Sequence, residues 1–321
     1  MGVARNVLHA LSKGERSMGW PLRMFDADGI YFVTVRCFQG RLLLRPSKQT
    51  NDILAGVLAR AARLSSIELF GFVFASNHFH LIVRAPQGNL PRFMQFLMTN
   101  VSKKIGWLVG WGGAFWEHRY SAEPILDQES LFGRLRYLLA HGVKERLVRR
   151  CVDWPGLSSL SMMLGSPTRS ARWFNWTKRW QDRGQLGIDR YSDDWAETEQ
   201  LALTPLPGLA ARLPAAQRAL CKQAVAAIER EAALDRSPVL GVRKVLAQSP
   251  QFRPFRLARR ARPLCFGATE ALRRLFRERY REHVTRFREA SGHWRRGVLN
   301  AVFPEGAVRP CLWPVPSLAA A

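Results

Sequence analysis

The chain has 321 residues, of which 47% are hydrophobic, enough apolar material for two ordinary globular domains. Its 49 Lys and Arg against 25 Asp and Glu give a net charge of +24, an excess typical of proteins that bind polyanions, above all nucleic acid. An anionic membrane surface is a second candidate partner, but we find no apolar run of about 20 residues to span a bilayer, and the charged N-terminus does not fit a secretory signal.

The five cysteines are far apart, odd in number and never in a CxxC pair. This spacing argues against a disulfide framework and against a zinc finger. It fits a reducing compartment, and we therefore expect a cytoplasmic protein. The cysteines are Cys37, Cys151, Cys221, Cys265 and Cys311.

Strand and helix patterns alternate in the first quarter of the chain. Residues 29–38, "GIYFVTVRCF", are rich in β-branched and aromatic residues and predict a strand. Residues 47–65 have a polar start and helical spacing, and they predict a helix. "IELFGFVFA" (67–75) and "HFHLIVRA" (78–85) then predict two strands with a short connection.

Two further helices flank a fourth strand. Residues 89–109 start with Asn, carry Pro in the first turn and continue at helical spacing. Residues 112–126, "GGAFWEHRYSAEPIL", predict the strand; Asp127 then caps the helix "QESLFGRLRYLLAHG", which Gly142 can end. The order β-α-β-β-α-β-α begins with the six elements of the ferredoxin-like fold, an α+β class with an antiparallel sheet and helices on one face.

The chain changes character after a turn-rich stretch at residues 153–170. We expect this stretch to close a first domain, residues 20–170, which follows an N-terminal extension, residues 1–19. The remainder, residues 171–321, is predicted to be a basic and mainly α-helical C-terminal region.

Positive charge is concentrated in that C-terminal region. Helices are predicted over residues 215–234 and 268–290, and half of the net charge of the chain lies between Arg243 and Arg296. Arg residues interleaved with Phe and Tyr suit phosphate contact and base stacking, and they predict an accessory DNA-binding module. A solvated helix face with Glu partners is the alternative interpretation.

Two histidines, His78 and His80, lie within the third predicted strand. Side chains two residues apart project from the same face, so the imidazoles lie side by side while Phe79, Leu81 and Val83 point into the core. Two protonated imidazoles would repel each other, whereas two neutral imidazoles can ligate a cation. Two satisfied histidines at a sheet surface are the alternative.

The helix after Asp127 carries a polar stripe beside its apolar one. Arg134, Tyr137 and His141 stack along one face, because residues at i, i+3 and i+7 are neighbours on a helix. A tyrosine that only packed would lie among the leucines, although an amphipathic tyrosine at a helix surface is a second interpretation. The apolar arc consists of Leu131, Leu135, Leu138 and Leu139.

The triplet His78-Phe79-His80, with Asn77 before it and Tyr137 on a later helix, resembles the motif of the single-tyrosine HUH transposases. Among these, the chain is most similar to the REP-associated tyrosine transposases. The blocks "PLRMFDADGIYFVTVRC", "FWEHRYSAEPILDQESL" and "DWPGLSSL" also resemble the family. The resemblance covers about residues 20 to 165 of this chain.

The resemblance implies a DNA-cutting site. His78, His80 and His141 would hold a divalent cation, Mg²⁺ or Mn²⁺. Tyr137 would attack a phosphate of single-stranded or hairpin DNA and form a 5′-phosphotyrosine, and the attached strand could then pass to another 3′-hydroxyl. The family usually has Asn or Gln at the position of His141 and Pro at the position of Gly142, and these departures leave room for an altered metal preference or a weakened enzyme.

The same resemblance implies a palindromic DNA repeat as partner and a bacterial, nucleoid-associated location, and it is compatible with a monomer or a homodimer. Arg134, one turn before Tyr137, is expected to stabilise phenolate or phosphate. Glu117 and His118 are weaker candidates for the metal, because neighbouring strand residues face opposite ways. The remaining predicted DNA contacts are Lys103, Lys104, Arg259, Arg260, Arg273 and Arg274.

Two other functions fit the same residues. A domesticated descendant of a transposase could bind palindromic DNA without cutting it. The departures from the family at His141 and Gly142 leave this function open. A metal-dependent nuclease could instead cut DNA or RNA with activated water, and Tyr137 would then be unnecessary.

Overall fold

The computed structural model describes residues 21–182, 189–210, 212–255 and 262–309. None of the helices in this described part of the chain is long and apolar enough to cross a bilayer. Several predicted features lie outside the described residues: the extension at 1–19, Arg259, Arg260 and Cys311.

The chain forms two compact units. The larger unit is Phe25–Arg281, and it contains every described residue of the candidate site. The described residues of the smaller unit are 21–24 and 282–309, and Met24 pairs with Ala307 there in an antiparallel bridge.

A four-stranded antiparallel sheet forms the centre of the larger unit, in the order β2-β3-β1-β4. This is the ferredoxin-like order, as the sequence predicts. The fourth strand is shorter than predicted, because Trp116 contributes only an isolated bridge to Cys37 before the regular ladder begins. The strands are β1 (Ile30–Arg36), β2 (Glu68–Phe74), β3 (His78–Arg84) and β4 (Ser121–Ile125).

Helices cover both faces of this sheet. The two crossover helices, α1 (Lys48–Leu64) and α2 (Leu90–Leu108), pack on one face, which buries Phe79, Leu81 and Val83 as predicted. The third helix, α3 (Gln128–Leu139), packs on the opposite face. Its leucines bury an apolar surface that includes Phe32, Phe70, Val73 and Ile82. The candidate site therefore lies between the sheet and α3.

A second sheet, which the sequence does not predict, packs against α1. It pairs β5 (Thr168–Phe174) with β6 (Ala196–Ala202), and residue 170 falls inside β5. Trp173, Phe174 and Leu201 belong to the same core as α1. The core thus continues beyond the turn-rich stretch into the C-terminal region.

The other helices are short, except for two near the C-terminus. The two long ones, α7 and α9, match the predicted helices at residues 215–234 and 268–290. The boundaries are α4 (His141–Lys144), α5 (Leu160–Leu164), α6 (Trp176–Gln181), α7 (Pro214–Ala233), α8 (Val242–Ala247) and α9 (Glu270–Arg295).

Gly56 allows α1 to approach β5 closely. A Cβ atom at Gly56 would lie 1.8 Å from the Arg172 carbonyl oxygen, a backbone atom that a rotamer change cannot move away. We expect Gly56→Ala to lower the free energy of unfolding by about 1–3 kcal/mol, measured by urea denaturation. Gly133→Ala in α3 is the matched control, because a Cβ there meets nothing within 4 Å. It should raise stability by about 0.5–1 kcal/mol, and equal effects of the two substitutions would contradict the proposed close approach.

Candidate active site

The two histidines of β3 lie on the sheet face that α3 covers. In the register between β1 and β3, Thr34 pairs with His80 and Arg36 with His78. The two imidazole centroids are 4.9 Å apart, and the Phe32 ring stacks on His80 at 4.9 Å. Period-two alternation thus places both imidazoles side by side, as the sequence predicts.

His141 lies beside this pair, with its ring centroid 4.7 Å from that of His78 and 5.4 Å from that of His80. The helix α3 ends at Leu139, Ala140 joins it to the single turn α4, and His141 begins that turn. Gly142 therefore lies inside α4 and does not end the helix. It serves close packing instead, since a Cβ there would meet Val148 Cγ2 at 3.0 Å and the Trp154 side chain at 3.2 Å.

Polar neighbours orient the His78 imidazole. The Asn77 side-chain nitrogen donates to the Gly40 carbonyl oxygen at 3.1 Å, which turns the Asn77 oxygen toward His78 Nδ1 at 2.6 Å. Because a carbonyl oxygen only accepts, His78 Nδ1 carries the proton and Nε2 keeps its lone pair. Such contacts fix the tautomer of metal-binding histidines.

The His80 imidazole is held by the neighbouring strand. Its Nδ1 lies 2.9 Å from Thr34 Oγ1, the side chain that the strand register places opposite His80. When Nδ1 donates its proton to this hydroxyl, Nε2 is left unprotonated. Thr34 was not singled out from the sequence, although its register position follows once the strands are paired.

The nitrogen atoms of the three histidines fit a metal ion. One ligand atom from each of His78, His80 and His141 lies within 4.8 Å of the others, the one such cluster in the described part of the chain. His78 Nε2 is 2.7 Å from His141 Nε2, while His80 Nε2 and His141 Nδ1 are buried without a hydrogen-bond partner among described residues. An unpaired buried polar atom costs about 1–3 kcal/mol, a cost that coordination would remove. The cluster can therefore hold a metal ion.

Burial keeps these imidazoles neutral. It lowers the pKa of His78 and of His80 well below the usual value, and the neighbouring imidazoles lower both further. Burial, and then the Lys144 ammonium group, lower the pKa of His141 to about 4. The lone pairs are consequently available for coordination at neutral pH.

Tyr137 lies beside the three histidines. Its ring centroid is 5.5 Å from that of His80 and 5.9 Å from that of Phe32, with both pairs nearly perpendicular. The Lys144 ammonium group lies 4.4 Å from the Tyr137 ring centroid. Burial raises the pKa of the Tyr137 phenol, the Glu145 carboxylate raises it further, and Arg134 lowers it. The phenol therefore keeps its proton at neutral pH and must lose it during any attack.

Solved structures similar to this chain are known. No family model matches the chain, and no curated protein matches it significantly. One similar solved structure is a REP-associated tyrosine transposase bound to a REP hairpin, at 20% identity and a TM-score of 0.40, covering 46% of this chain and 87% of that one. Another is a Deinococcus radiodurans protein assigned as a transposase, at 18% identity and a TM-score of 0.27, covering 40% of this chain and 97% of that one.

Both of these similar structures are named as transposases. The three-histidine cluster and the contact between Tyr137 and His80 are observed in this chain itself.

The two lysines predicted to contact DNA differ in exposure. Lys103 is exposed on α2, which packs on the sheet face opposite the histidines. Lys104 is 3% exposed and donates to the Phe174 carbonyl oxygen at 2.5 Å, with its ammonium group 4.5 Å from the Trp173 ring centroid and 4.4 Å from that of Trp176. A phosphate cannot reach it, so the predicted DNA contact of Lys104 does not hold.

Lys104 gives a prediction on the pH dependence of stability. Burial lowers its pKa to about 8, against about 10.4 in an unfolded chain. Between these values the unfolded state binds more protons, so this group makes stability rise with pH. We expect the free energy of unfolding of the wild type to rise from pH 8 to 10 relative to that of Lys104→Met, measured by urea denaturation. Parallel pH profiles of the two proteins would contradict the burial of a charged amine.

The other predicted contacts have local partners. Arg273 Nε pairs with Glu270 at 2.9 Å, and its guanidinium also donates to the Gly267 carbonyl oxygen. Arg274 pairs with Glu278 at 3.2 Å on the exposed side of α9. These contacts favour the solvated-helix interpretation for both residues, and a DNA contact by either remains a prediction.

The weaker metal candidates are separate from the histidine cluster. Glu117 forms an ion pair with Arg36 at 3.7 Å, and His118 is exposed. Neither belongs to the group of three histidines.

Proposed function

We propose that this protein is a single-tyrosine DNA transposase that nicks and rejoins single-stranded or hairpin DNA through a 5′-phosphotyrosine. The observation that carries the proposal is one site that combines three neutral imidazoles, two of them with unpaired buried nitrogens, and a tyrosine. A structural histidine cluster would have its polar atoms satisfied within the protein.

The residues of the chain divide the chemistry between them. His78, His80 and His141 would hold a divalent cation, which supplies Lewis-acid stabilisation of charge on the scissile phosphate. Tyr137 Oη forms a bond to phosphorus as the bond from phosphorus to the 3′-oxygen breaks. The phenol gives up its proton, and the departing 3′-oxygen takes one up. The reverse reaction with another 3′-hydroxyl rejoins the strand and frees Tyr137.

Imidazole ligands bear on the identity of the cation. Nitrogen donors suit transition metals, whereas Mg²⁺ prefers oxygen ligands. Because three histidines form the cluster, we infer that Mn²⁺ supports the reaction better than Mg²⁺. A comparison of the two ions at equal concentration tests this order.

The partners and organisation follow from the same proposal. The DNA would be a palindromic repeat bound in a bacterial cytoplasm, near the nucleoid, by a monomer or a homodimer. Residues 20–170 would form the catalytic domain, and residues 171–321 would act as a basic accessory module. The uneven charge of the chain supports a polyanionic partner.

A non-cutting DNA-binding protein is the second candidate. The raised pKa of Tyr137 favours it, because a protonated phenol is a weak nucleophile. Against it, this chain has His141 where the family usually has Asn or Gln. His141 is itself a possible metal ligand, and it lies with the other two histidines.

Incubation with DNA separates these functions. A labelled pool of single-stranded hairpins with randomised flanking nucleotides is mixed with the protein and Mn²⁺, and products are resolved on a denaturing gel. A labelled protein adduct supports the transposase. Binding without any adduct supports the non-cutting protein, and cleavage that persists in Tyr137→Phe supports hydrolysis by activated water.

A further inference from the structure

A segment of the C-terminal region pairs with the edge of the catalytic sheet. Phe266 N donates to the Pro124 carbonyl oxygen at 2.8 Å, and Leu126 N donates to the Phe266 carbonyl oxygen at 2.8 Å, in a parallel bridge beside β4. Ala268 N donates to Asp127 Oδ2 at 2.7 Å, while the other oxygen of this carboxylate caps α3. The segment is thus fixed to the strand and to the helix that frame the site.

The Phe266 side chain enters the site from this edge. Its ring centroid is 5.7 Å from that of Phe32, the ring that stacks on His80, and the two planes are nearly perpendicular. The guanidinium carbon of Arg134 lies 4.4 Å from the Phe266 centroid, 5.2 Å from that of Tyr137 and 5.8 Å from that of Phe32. Three aromatic rings therefore surround Arg134, and the nearest of them belongs to the C-terminal region.

The three aromatic rings leave Arg134 charged. Burial lowers the pKa of Arg134 and the Tyr137 phenol raises it, and no carboxylate among the described residues acts on it. Aromatic faces attract a guanidinium ion without neutralising it. The N–H donors of Arg134 thus remain available for the paired oxygens of a phosphate, the group that an arginine fork matches best.

We propose that Phe266 is a positioning residue, which holds Arg134 beside Tyr137 so that the guanidinium can stabilise the phosphate under attack. The proposal rests on the proposed function. It means that the C-terminal region, besides any binding of DNA, completes the active site of the same chain. Without the Phe266 ring, Arg134 would keep its charge but lose the contact that fixes the orientation of its guanidinium group.

Single-turnover rates of adduct formation test this role, with the labelled hairpin pool and Mn²⁺. We expect Phe266→Ala to lower the rate about 10-fold, which is the size of one cation–π contact, and Phe266→Tyr to restore it to within about two-fold. Phe266→Leu keeps an apolar side chain without a π face and should resemble Phe266→Ala. Leu64→Ala is the control, because Leu64 is 47% exposed at the end of α1, on the sheet face opposite the histidines, and its rate should equal that of the wild type.

A double-mutant cycle separates positioning from general stabilisation. We expect Arg134→Ala to lower the rate about 100-fold, as for the loss of one donor to a developing charge, and the double variant with Phe266→Ala to be no slower. DNA affinity should change little in Phe266→Ala, so the loss would fall on the chemical step. Additive losses, or a wild-type rate in Phe266→Leu, would overturn the proposal.

One readout does not depend on activity. Ring currents from Phe266 add to those of Tyr137 and Phe32, so the Arg134 Nε–H signal in NMR spectra should be similar in the wild type and Phe266→Tyr and should move in Phe266→Ala. A wild type without any adduct would overturn the proposed function and the catalytic role of Phe266. The same Arg134 signal in an active wild type and in Phe266→Ala would overturn the positioning alone.

Discussion

The His80→Ala variant is expected to lose Mn²⁺ binding by more than about 100-fold in affinity, and with it all metal-dependent cleavage of DNA. His80 Nε2 is a buried nitrogen without a partner among described residues, and Thr34 holds the ring from its other side. No neighbouring group among the three candidate ligands can replace it, because His78 and His141 already contribute their own nitrogens. Isothermal titration with Mn²⁺ measures the loss, and circular dichroism confirms that the variant is folded.

Two further variants make the metal prediction specific. Thr34→Val keeps the shape of the side chain but removes the hydroxyl that orients His80, and it should weaken Mn²⁺ binding by about 10–100-fold. His293→Ala removes an exposed histidine of α9 and should leave binding unchanged. Wild-type affinity in His80→Ala would contradict the assignment of the three histidines as a metal site.

The Tyr137→Phe variant is expected to form no covalent adduct with DNA, while it keeps Mn²⁺ binding and the affinity for the hairpin. The substitution removes only the hydroxyl group, and the ring can retain its contacts with Phe32 and with the Lys144 ammonium group. Loss of a covalent nucleophile lowers turnover by several orders of magnitude, because no other group can form the same intermediate. A denaturing gel measures the adduct, and a gel shift measures the affinity.

Tyr191→Phe is the matched control for this loss. Its hydroxyl donates to the Lys104 carbonyl oxygen at 2.6 Å, in the core that lies across the sheet from the histidines. It should lower the melting temperature and leave adduct formation intact. An adduct of undiminished yield in Tyr137→Phe would mean that another residue is the nucleophile.

The features predicted most closely depend on short-range periodicity. The alternation of β3 places His78 and His80 on one face, and the element order predicts the ferredoxin-like sheet. The helical stripe predicts that Tyr137 and His141 face the same way, although the helix breaks at Ala140 between them. These relations involve neighbours a few residues apart, which sequence patterns record.

The features that were missed depend on distant partners. Lys104 is buried against Trp173 of the unpredicted second sheet and Trp176 of α6. Nothing in the local sequence around Phe266 indicates that its backbone pairs with Pro124. Tertiary contacts of this kind override local propensity, and they determine which basic residues stay exposed to solvent.

Identification of the residue that becomes attached to DNA is the most direct test of the proposed transposase chemistry. Wild-type protein is incubated with the hairpin pool and Mn²⁺, the adduct is digested with nuclease and protease, and the modified peptide is sequenced by mass spectrometry. We predict a nucleotide attached through phosphate to Tyr137, dependent on Mn²⁺ and absent from His80→Ala. DNA cleaved without any modified peptide, or a nucleotide on a residue other than Tyr137, would contradict the proposed transposase chemistry.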